Sequence, residues 1–358
     1  MMTIPQPEPD HDLLLVRSRS FDPWHNLALE DLLLDRMNES VKENRQLSGI
    51  LYLWQNQDTV VIGRNQNAWA ECNTALLERE NGRLARRTTG GGAVFHDLGN
   101  LNFSLIFPRK RFSLTDNFDL IVDTVASQGI DADRSGRNDV LAKGRKFSGN
   151  AFTHRGQAAL HHGTLLIHSD YGRVSRYLTV NPQKLQAKGI ASVRSRIINL
   201  QELAPGVTVD NLSEAMAELF CERFGGHLPK PAKIGHLDVQ AFTAAGEFTR
   251  RREFFASWDW RYGRTFRFDA TLAGRLDWGL VDIGLTVQDG KVRKAVIYSD
   301  ALDGDFINRM EHNITGCRFL SQELATALLD TPGQNHDFGP SRRQMARDLA
   351  DLFLEQNW

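Results

Sequence analysis

The sequence predicts an α+β protein divided into two domains. Its 358 residues exceed the size at which a single hydrophobic core usually stops growing. Strand-like and helix-like segments alternate along the chain, and Ala232 to Gly263 is crowded with aromatic and basic side chains, which indicates a domain boundary. We therefore expect a flexible tail at 1–12, a large domain at 13–250, a linker at 251–262 and a small α+β domain at 263–358.

The composition excludes several classes of protein. Lys and Arg number 43 against 44 Asp and Glu, so the chain lacks the basic excess of a general nucleic-acid-binding protein. Three dispersed cysteines fit a reducing compartment. No apolar run approaches the ~20 residues that span a bilayer, and the start does not resemble a signal peptide. We expect a cytoplasmic monomer that binds neither nucleic acid nor membranes.

The first elements follow from capping and spacing. Leu13 to Val16 reads as a strand, and Asp22-Pro23 as the cap and first turn of a helix. Apolar residues then recur at helical spacing, which predicts one buried face. Three carboxylates between them are expected to face water: Glu30, Asp31 and Asp35.

Two β-branched runs come next. Ile50 to Trp54 and Thr59 to Ile62 are joined by four polar residues, which predicts a hairpin. Asn73 is expected to cap a short helix that ends before Gly82. Arg83 to Arg87 then leads into three consecutive glycines.

The stretch from Arg86 to Asp97 reads Arg-Arg-Thr-Thr-Gly-Gly-Gly-Ala-Val-Phe-His-Asp. Glycines without side chains let backbone N–H groups approach a ligand closely, and arginine forks suit phosphate or carboxylate. The alternative is a mobile loop with two solvated arginines. Because the glycines lead into a strand at Ala93 to Phe95, they match neither a Walker loop nor a Rossmann loop, both of which open a helix.

The remaining segments complete the two domains. A helix is expected at Phe118 to Ala126, strands at Arg145 to Phe152 and Leu160 to Ile167, and an amphipathic helix at Leu212 to Phe224. In the small domain, Asp289-Gly290 predicts a hairpin, which three helical segments follow.

Two further polar clusters could carry chemistry. Lys146 opens a turn of small residues, where its ammonium could lie between a carboxylate and a phosphate. Asn138 and Asp139 could bind a base or the Mg²⁺ that accompanies phosphates. The alternatives are a surface lysine and a capped turn. His161 and His162 are neighbours in a strand and point to opposite faces, so at most one can face a site.

These clusters together resemble one family. The run Arg86 to Asn100 is similar to the RR-x-x-GGGAVFHDLGN signature of lipoate–protein ligase A. Matches follow in the family's order at SGRND (135–139), KFSGNA (146–151) and HHGTLL (161–166). Further similarity lies at Asp22 to Ala28, at Thr59 to Arg64 and at Lys188 to Arg196, so the resemblance covers nearly the whole chain.

The resemblance implies a fold and a reaction. The fold is a biotin/lipoate ligase-type catalytic domain, a mixed sheet with helices, followed by a small accessory domain. Lipoate and MgATP would give lipoyl-adenylate and pyrophosphate, and the lipoyl group would pass to a lysine of a carrier domain. The implied partners are apo lipoyl domains of 2-oxoacid dehydrogenase E2 subunits and the glycine cleavage H protein.

The resemblance also implies roles for individual residues, with Lys146 as the catalytic residue and Asp139 near Mg²⁺. The implied ATP and adenylate contacts are Arg87, Gly92, Ala93, Val94, Phe95, Asn138, Asp139 and Lys146. The implied lipoate contacts are Arg86, Gly91, His96, Lys146, Gly149, Ala151 and His161.

Two other functions compete with the ligase. An octanoyl- or lipoyltransferase would work without adenylation but needs a nucleophilic thiol, and none of Cys72, Cys221 and Cys317 lies in a cluster. A non-catalytic homologue would bind lipoate or nucleotide only. Lipoate-dependent release of pyrophosphate separates a ligase from both.

Overall fold

The computed structural model describes residues 12–43, 47–179, 196–226, 232–237, 239–243, 246–263, 268–331, 341–356 and 358. The expected tail, apart from residue 12, and most of the family match at Lys188 to Arg196 lie outside the described residues. The chain forms two compact units. Unit one comprises 1–61, 72–85 and 94–257, and unit two comprises 62–71, 86–93 and 258–358.

The strands of the large sheet are β1 (Leu13–Arg17), β2 (Gly49–Trp54), β6 (Asn100–Pro108), β7 (Asp133–Ser135), β8 (Asp139–Ala142), β9 (Arg145–Arg155), β10 (Ala158–Leu166) and β11 (Ile234–His236). Their order is β11-β1-β2-β6-β10-β9-β8-β7. The pairs β11–β1 and β1–β2 are parallel and the other pairs are antiparallel. The sheet is therefore mixed, as predicted.

A smaller three-stranded sheet contains β3 (Thr59–Ile62), β4 (Arg83–Arg86) and β5 (Val94–His96), in the order β4-β3-β5. The predicted hairpin between the second and third strands is wrong. β2 pairs with β1 and β6 in the large sheet, whereas β3 pairs with β5. Both strands are buried along their full length, so their backbone groups must be paired on both edges. β2 finds these partners in the large sheet, and β3 finds them in the small one.

The described helices of unit one are α1 (Pro23–Lys42), α3 (Thr74–Arg79), α4 (Leu114–Ala126), α5 (Tyr171–Tyr177), α6 (Val209–Gly225), α7 (Val239–Thr243) and α8 (Gly246–Ala256). The predicted caps are confirmed: Asp22 accepts from the N–H of Trp24, and Asn73 from that of Leu76. The expected water-facing position of Glu30 is wrong, because this carboxylate is 3% exposed and hydrogen-bonded in the core.

Helices cover both faces of the large sheet. On the face beneath α1, Tyr52 donates a hydrogen bond to Asn26 of that helix at 3.0 Å. On the opposite face, Phe118 of α4 packs against Phe152, and Phe220 of α6 against Phe107. These are called the α1 face and the α4 face.

Unit two contains the small helices α2 (Ala68–Glu71) and α9 (Trp258–Tyr262) and the strands β12 (Ala270–Leu276), β13 (Gly279–Gln288) and β14 (Lys291–Ser299), followed by α10 (Gly304–Ile314), α11 (Ser321–Leu329) and α12 (Arg342–Leu354). The predicted hairpin at Asp289-Gly290 is confirmed, and both residues have positive φ, 54° and 70°. The strand β12 escaped prediction. None of the described helices is both long enough and apolar enough to cross a bilayer.

Candidate active site

Lys146 lies near the start of β9 and forms an ion pair with Asp139 of the neighbouring strand β8. Its Nζ is 2.7 Å from Asp139 Oδ1, and both side chains are about one-third exposed, at 32% and 37%. The tight turn between the strands has φ of 50° at Lys143 and 72° at Gly144, and it pairs Lys146 with Leu141, two residues after Asp139 on β8. An ammonium accessible to solvent and oriented by a carboxylate can meet an incoming anion.

Gly149 makes room for this lysine. A Cβ at Gly149 would lie 2.8 Å from Lys146 Nζ and 2.9 Å from Cε, so the lysine chain crosses the backbone where a side chain would stand. Gly149 also pairs with Asp139 across the strands and donates its N–H to Thr164 Oγ1. The sequence-predicted residues Lys146, Asp139 and Gly149 therefore come together.

The register of β9 and β10 assigns each of the two adjacent histidines to a face of the sheet. Ala151 pairs with His162, and Phe152 with His161. Because paired residues share a face of a sheet, His162 lies with Gly149 and Ala151 on the α1 face. His161 lies on the α4 face. The structure thus brings His162, and not His161, to the face that carries Lys146.

His162 belongs to a buried polar network that sequence reasoning missed. Its Nδ1–H donates to Glu30 Oε1 at 2.8 Å, and the hydroxyl of Ser104 donates to the same oxygen. Trp54 Nε1–H donates to Ser104 Oγ at 3.1 Å, and the Trp54 ring meets that of His96 edge-on. The predicted His96 therefore connects to His162 through three side chains of unit one.

His96 is oriented from its other side. Asn56 Nδ2 donates to His96 Nδ1 at 3.1 Å, and Asn26 Nδ2 donates to Asn56 Oδ1. Since Nδ1 accepts, a neutral His96 carries its proton on Nε2. The imidazole is 3% exposed and is held in one tautomer beside Trp54.

His161 has the environment of a core residue. Its ring lies 4.6–5.5 Å from those of Phe103, Phe118 and Phe152. Burial, together with the nearby His162 and Arg134, holds the pKa of His161 well below its usual value, so the ring is neutral. Its Nε2 lies 2.8 Å from Asn150 Oδ1.

The glycine stretch divides between the units. Val94, Phe95 and His96 form β5 in unit one, where Phe95 is buried against Tyr177. In unit two, Arg87 folds back on the loop, and its Nη2 donates to the carbonyls of Gly90 at 2.7 Å and Gly92 at 2.8 Å. The guanidinium of Arg87, which the sequence predicts to bind an anion, is hydrogen-bonded to backbone carbonyls of its own loop in this structure.

The structural constraint differs among the three consecutive glycines. At Gly90 a Cβ would lie 2.0 Å from the carbonyl oxygen of Ala301, and Gly91 has a φ of 91°. At Gly92 no described atom lies within 4 Å of a Cβ, and the residue is exposed, as Ala93 partly is. Folding requires the first two glycines, whereas none of the described residues crowds the third.

Arg86 is 1% exposed and bonded to the backbone throughout. Its guanidinium donates to the carbonyls of Gly63, Arg64 and Gln66, and to those of Trp260 and Arg261. These bonds join three separate segments of unit two. The contacts of Arg86 in this structure are those of an internal support.

The cysteines lack the setting of a nucleophile. Burial, reinforced by Glu78, raises the pKa of Cys72 to about 12. Burial also raises the pKa of Cys221 and of Cys317, the latter with a contribution from Glu323. A reactive cysteine needs its pKa lowered, so these thiols stay protonated at neutral pH.

A resident metal ion would need several protein ligands close together. Across the described ranges, no three His, Cys, Asp or Glu side chains gather as a metal-binding group. The single carboxylate of Asp139 is compatible with Mg²⁺ only where phosphates supply the other oxygen ligands.

The comparisons with known proteins agree with this architecture. The family model of the lipoyl protein ligase A/B catalytic domain matches residues 22–221. The model of the bacterial lipoate protein ligase C-terminus matches residues 265–353. Two relatives, both named lipoate-protein ligase A, are 38% identical: one from Psychrobacter cryohalolentis, over 87% of this chain and 90% of its own, and one from Bdellovibrio bacteriovorus, over 89% and 92%.

Solved structures show the same fold. P. falciparum LipL1, crystallised in complex with lipoate, has a TM-score of 0.81 at 27% identity and covers 96% of this chain and 99% of its own. A lipoate-protein ligase A bound with ATP has a TM-score of 0.54 at 23% identity, over 71% of this chain and 99% of its own. The chain is therefore a member of the lipoate-protein ligase A family, with a catalytic domain of that family and its bacterial C-terminal domain.

Proposed function

We propose that this enzyme is an ATP-dependent lipoate–protein ligase that works in two half-reactions. A lipoate carboxylate oxygen attacks the α-phosphorus of ATP, the bond to the pyrophosphate oxygen breaks, and lipoyl-adenylate forms. A carrier lysine nitrogen then attacks the acyl carbon, the bond to the AMP oxygen breaks, and the amine proton passes to solvent. Family membership and the setting of Lys146 support this proposal.

One observation carries it: an accessible lysine ammonium lies over Gly149, beside Asp139, on the sheet face that also holds Ala151 and His162. The first step brings a carboxylate and a phosphate together, and a fixed cation between them lowers the barrier electrostatically. In the second step, alignment of the incoming amine contributes most. We assign Lys146 as the catalytic residue.

The nucleotide would be bound by the other predicted residues. We assign ATP and adenylate contacts to Arg87, Asn138, Asp139 and the turn Gly92 to Phe95. The described residues leave the Cβ position of Gly92 free, so packing does not require a glycine there, and this supports a close approach of phosphate. Mg²⁺ would be shared between ATP phosphates and the Asp139 carboxylate.

For lipoate we assign the predicted Gly91, His96, Lys146, Gly149 and Ala151, and we add His162. His162 replaces His161 in this proposal because it shares a sheet face with Gly149 and Ala151. Arg86 is assigned a supporting role, since its guanidinium is bonded to five carbonyls. The acceptor would be an apo lipoyl domain; one structural relative is described as a ligase together with its E2 lipoyl domain.

The raised thiol pKa values argue against a cysteine-dependent transferase. A ligase releases pyrophosphate when lipoate and ATP are both present, and the lipoyl group then appears on an apo lipoyl domain by intact mass. A transferase or a binding protein releases none. Absence of pyrophosphate from the wild-type protein would contradict the proposal.

Lys146→Ala is expected to reduce the rate of pyrophosphate release by about 10²–10³-fold, because one preorganised cationic group is removed. Lys143→Ala is the matched control, since it removes an exposed lysine from the turn of the same hairpin. The control should retain wild-type activity, and both variants should keep the wild-type melting temperature. Equal activity of the two variants would contradict the role of Lys146.

A further inference from the structure

Asn150 is a buried amide that links the α4 face of the sheet to the Lys146–Asp139 pair. It follows Gly149 on β9 and is 4% exposed. Its Nδ2 donates to the carbonyl of Asn138 at 3.1 Å and to Ser148 Oγ at 3.2 Å. Its Oδ1 lies 2.8 Å from His161 Nε2.

This arrangement allows one orientation of the amide. The carbonyl of Asn138 can only accept, so the Asn150 NH₂ must face it, and Oδ1 must then accept from His161 Nε2–H. Within the described structure, the buried Nδ1 of His161 meets no hydrogen-bonding partner. The neutral tautomer with its proton on Nε2 is therefore the one that fits.

Asn138 is held from several directions by the same residue. The backbone N–H of Asn150 donates to the Asn138 carbonyl at 2.9 Å, and Asn138 Nδ2 donates to the Asn150 carbonyl at 3.0 Å. Together with the hydrogen bond from Asn150 Nδ2 to the Asn138 carbonyl, three hydrogen bonds join the two residues. Asn138 directly precedes Asp139, whose carboxylate pairs with Lys146.

Gly163 provides the space for this connection. A Cβ at Gly163 would lie 2.4 Å from Asn150 Oδ1 and 2.6 Å from the ring of Phe103. Because the pocket fits an asparagine amide, a longer side chain at 150 would not be accommodated. A shorter one would leave the partly buried carbonyl of Asn138 and the buried N–H of His161 with one partner fewer.

We propose that Asn150 is a positioning residue for Lys146, acting through Asn138 and Asp139, with His161 supporting it from the α4 face. This inference rests on the proposed function of Lys146. The Asn150 side chain lies on the opposite sheet face from Gly149, and it reaches the proposed site through its hydrogen bonds to Asn138. It fixes the turn that carries Asp139, and Asp139 fixes the ammonium.

A double-mutant cycle tests the connection. Asn150→Ala is expected to lower kcat for pyrophosphate release about 10–100-fold, as removal of groups that orient an active side chain commonly does. The KM for lipoate should stay within about 2-fold. In the Lys146→Ala background the same substitution should have no further effect, because the residue it positions is gone. Equal losses in both backgrounds would overturn the inference.

His161→Phe separates positioning from lipoate binding. This variant removes the hydrogen bond to Asn150 but keeps an aromatic ring in the core. A positioning role predicts a lower kcat, whereas a lipoate contact predicts a higher KM for lipoate. Phe107→Leu is the control for core damage: Phe107 is equally buried on the α4 face but packs against Phe220 and Phe224. It should lower the melting temperature and leave kcat unchanged.

A measurement without turnover keeps the inference testable if the wild-type enzyme releases no pyrophosphate. The protein is labelled with an amine-reactive ester, and Lys146 and Lys143 are compared by peptide mass spectrometry. Asn150→Ala should raise the labelling rate of Lys146 several-fold, since Asp139 no longer holds its ammonium, and leave that of Lys143 unchanged. An unchanged rate at Lys146 would refute the positioning role, whereas a silent wild-type enzyme would refute only the proposed function.

Discussion

His161 and His162 are adjacent in the chain and have opposite surroundings. His162 donates to the Glu30 carboxylate beneath α1, whereas His161 is enclosed by three phenylalanine rings beneath α4. The alternation of a strand produces this difference, since each residue faces the side opposite to its neighbour. One histidine therefore belongs to the candidate site and the other to the core.

The buried His161 makes stability depend on pH. Its pKa is lowered in the folded protein, mainly by burial, so the unfolded chain binds the proton more readily below about pH 6.5. Stability is present above that pH and decreases as the pH falls, by up to about 1.4 kcal/mol per pH unit. Urea unfolding between pH 7.5 and about 5 should show this slope, and His161→Phe should flatten it. An equal slope in the variant would contradict the assignment.

At the scale of elements, a cluster of four charged side chains joins α1 to α8 and to the end of β9. Arg251 of α8 contacts Asp31 and Asp35 of α1, and Arg155 at the end of β9 contacts the same two carboxylates. The predicted water-facing aspartates thus form ion pairs at the rim of the helix. The segment predicted as a linker is helical at Gly246–Ala256 and at Trp258–Tyr262, with Phe255 buried.

Burial alone would raise the pKa of Asp35, but the neighbouring Arg155 and Arg251 outweigh it and lower the pKa. Asp35 therefore contributes stability above its usual pKa of about 3.8, and this contribution is lost as the pH falls below that value. Arg251→Gln should cost about 1–3 kcal/mol at pH 7, between the values for exposed and buried ion pairs. The cost should shrink at about pH 3.

Arg252→Gln is the matched control for this prediction. Arg252 is the next residue of the same helix, pairs with Asp22 and has a side chain that is 45% exposed. Its loss should cost less than about 1 kcal/mol in urea unfolding at pH 7. Similar losses for the two variants would show that the shared cluster adds nothing to an ordinary surface pair.

At the scale of the whole molecule, the compact units do not follow the order of the chain. Residues 62–71 and 86–93 belong to unit two with 258–358. Inside that unit, Gly91 donates its N–H to the carbonyl of Ala301, and Asn65 Nδ2 to that of Gly304. The glycine stretch is therefore supported by residues more than two hundred positions later in the sequence.

Arg86 is the residue on which this arrangement most depends. Arg86→Met keeps a long apolar stem but removes every donor to the five carbonyls, so unit two should loosen. Amide hydrogen exchange should rise in both 62–71 and 258–263, with β9 unaffected. Arg83→Met, at the other end of β4, is the control and should change neither segment. Unchanged exchange in Arg86→Met would contradict the supporting role.

Several elements of the fold and the family could be predicted from the sequence, because the signals that indicate them involve only neighbouring residues. The caps Asp22 and Asn73, the turn at Asp289-Gly290 and the entry of the glycines into a strand depend only on neighbouring residues. The ordered motifs from Arg86 to Leu166 identified the family, which the comparisons confirm. Lys146, Asp139 and Gly149 could be selected as a group because they lie within eleven consecutive residues.

Tertiary structure decided the properties that depend on distant partners. Strand pairing separated the expected hairpin into two sheets, and Glu30 became a core residue because Ser104 and His162 supply its hydrogen bonds. Alternation alone showed that His161 and His162 must face apart. Only the register with β9 determined which of them shares a face with Gly149, because that register is set by contacts between strands and not by either strand alone.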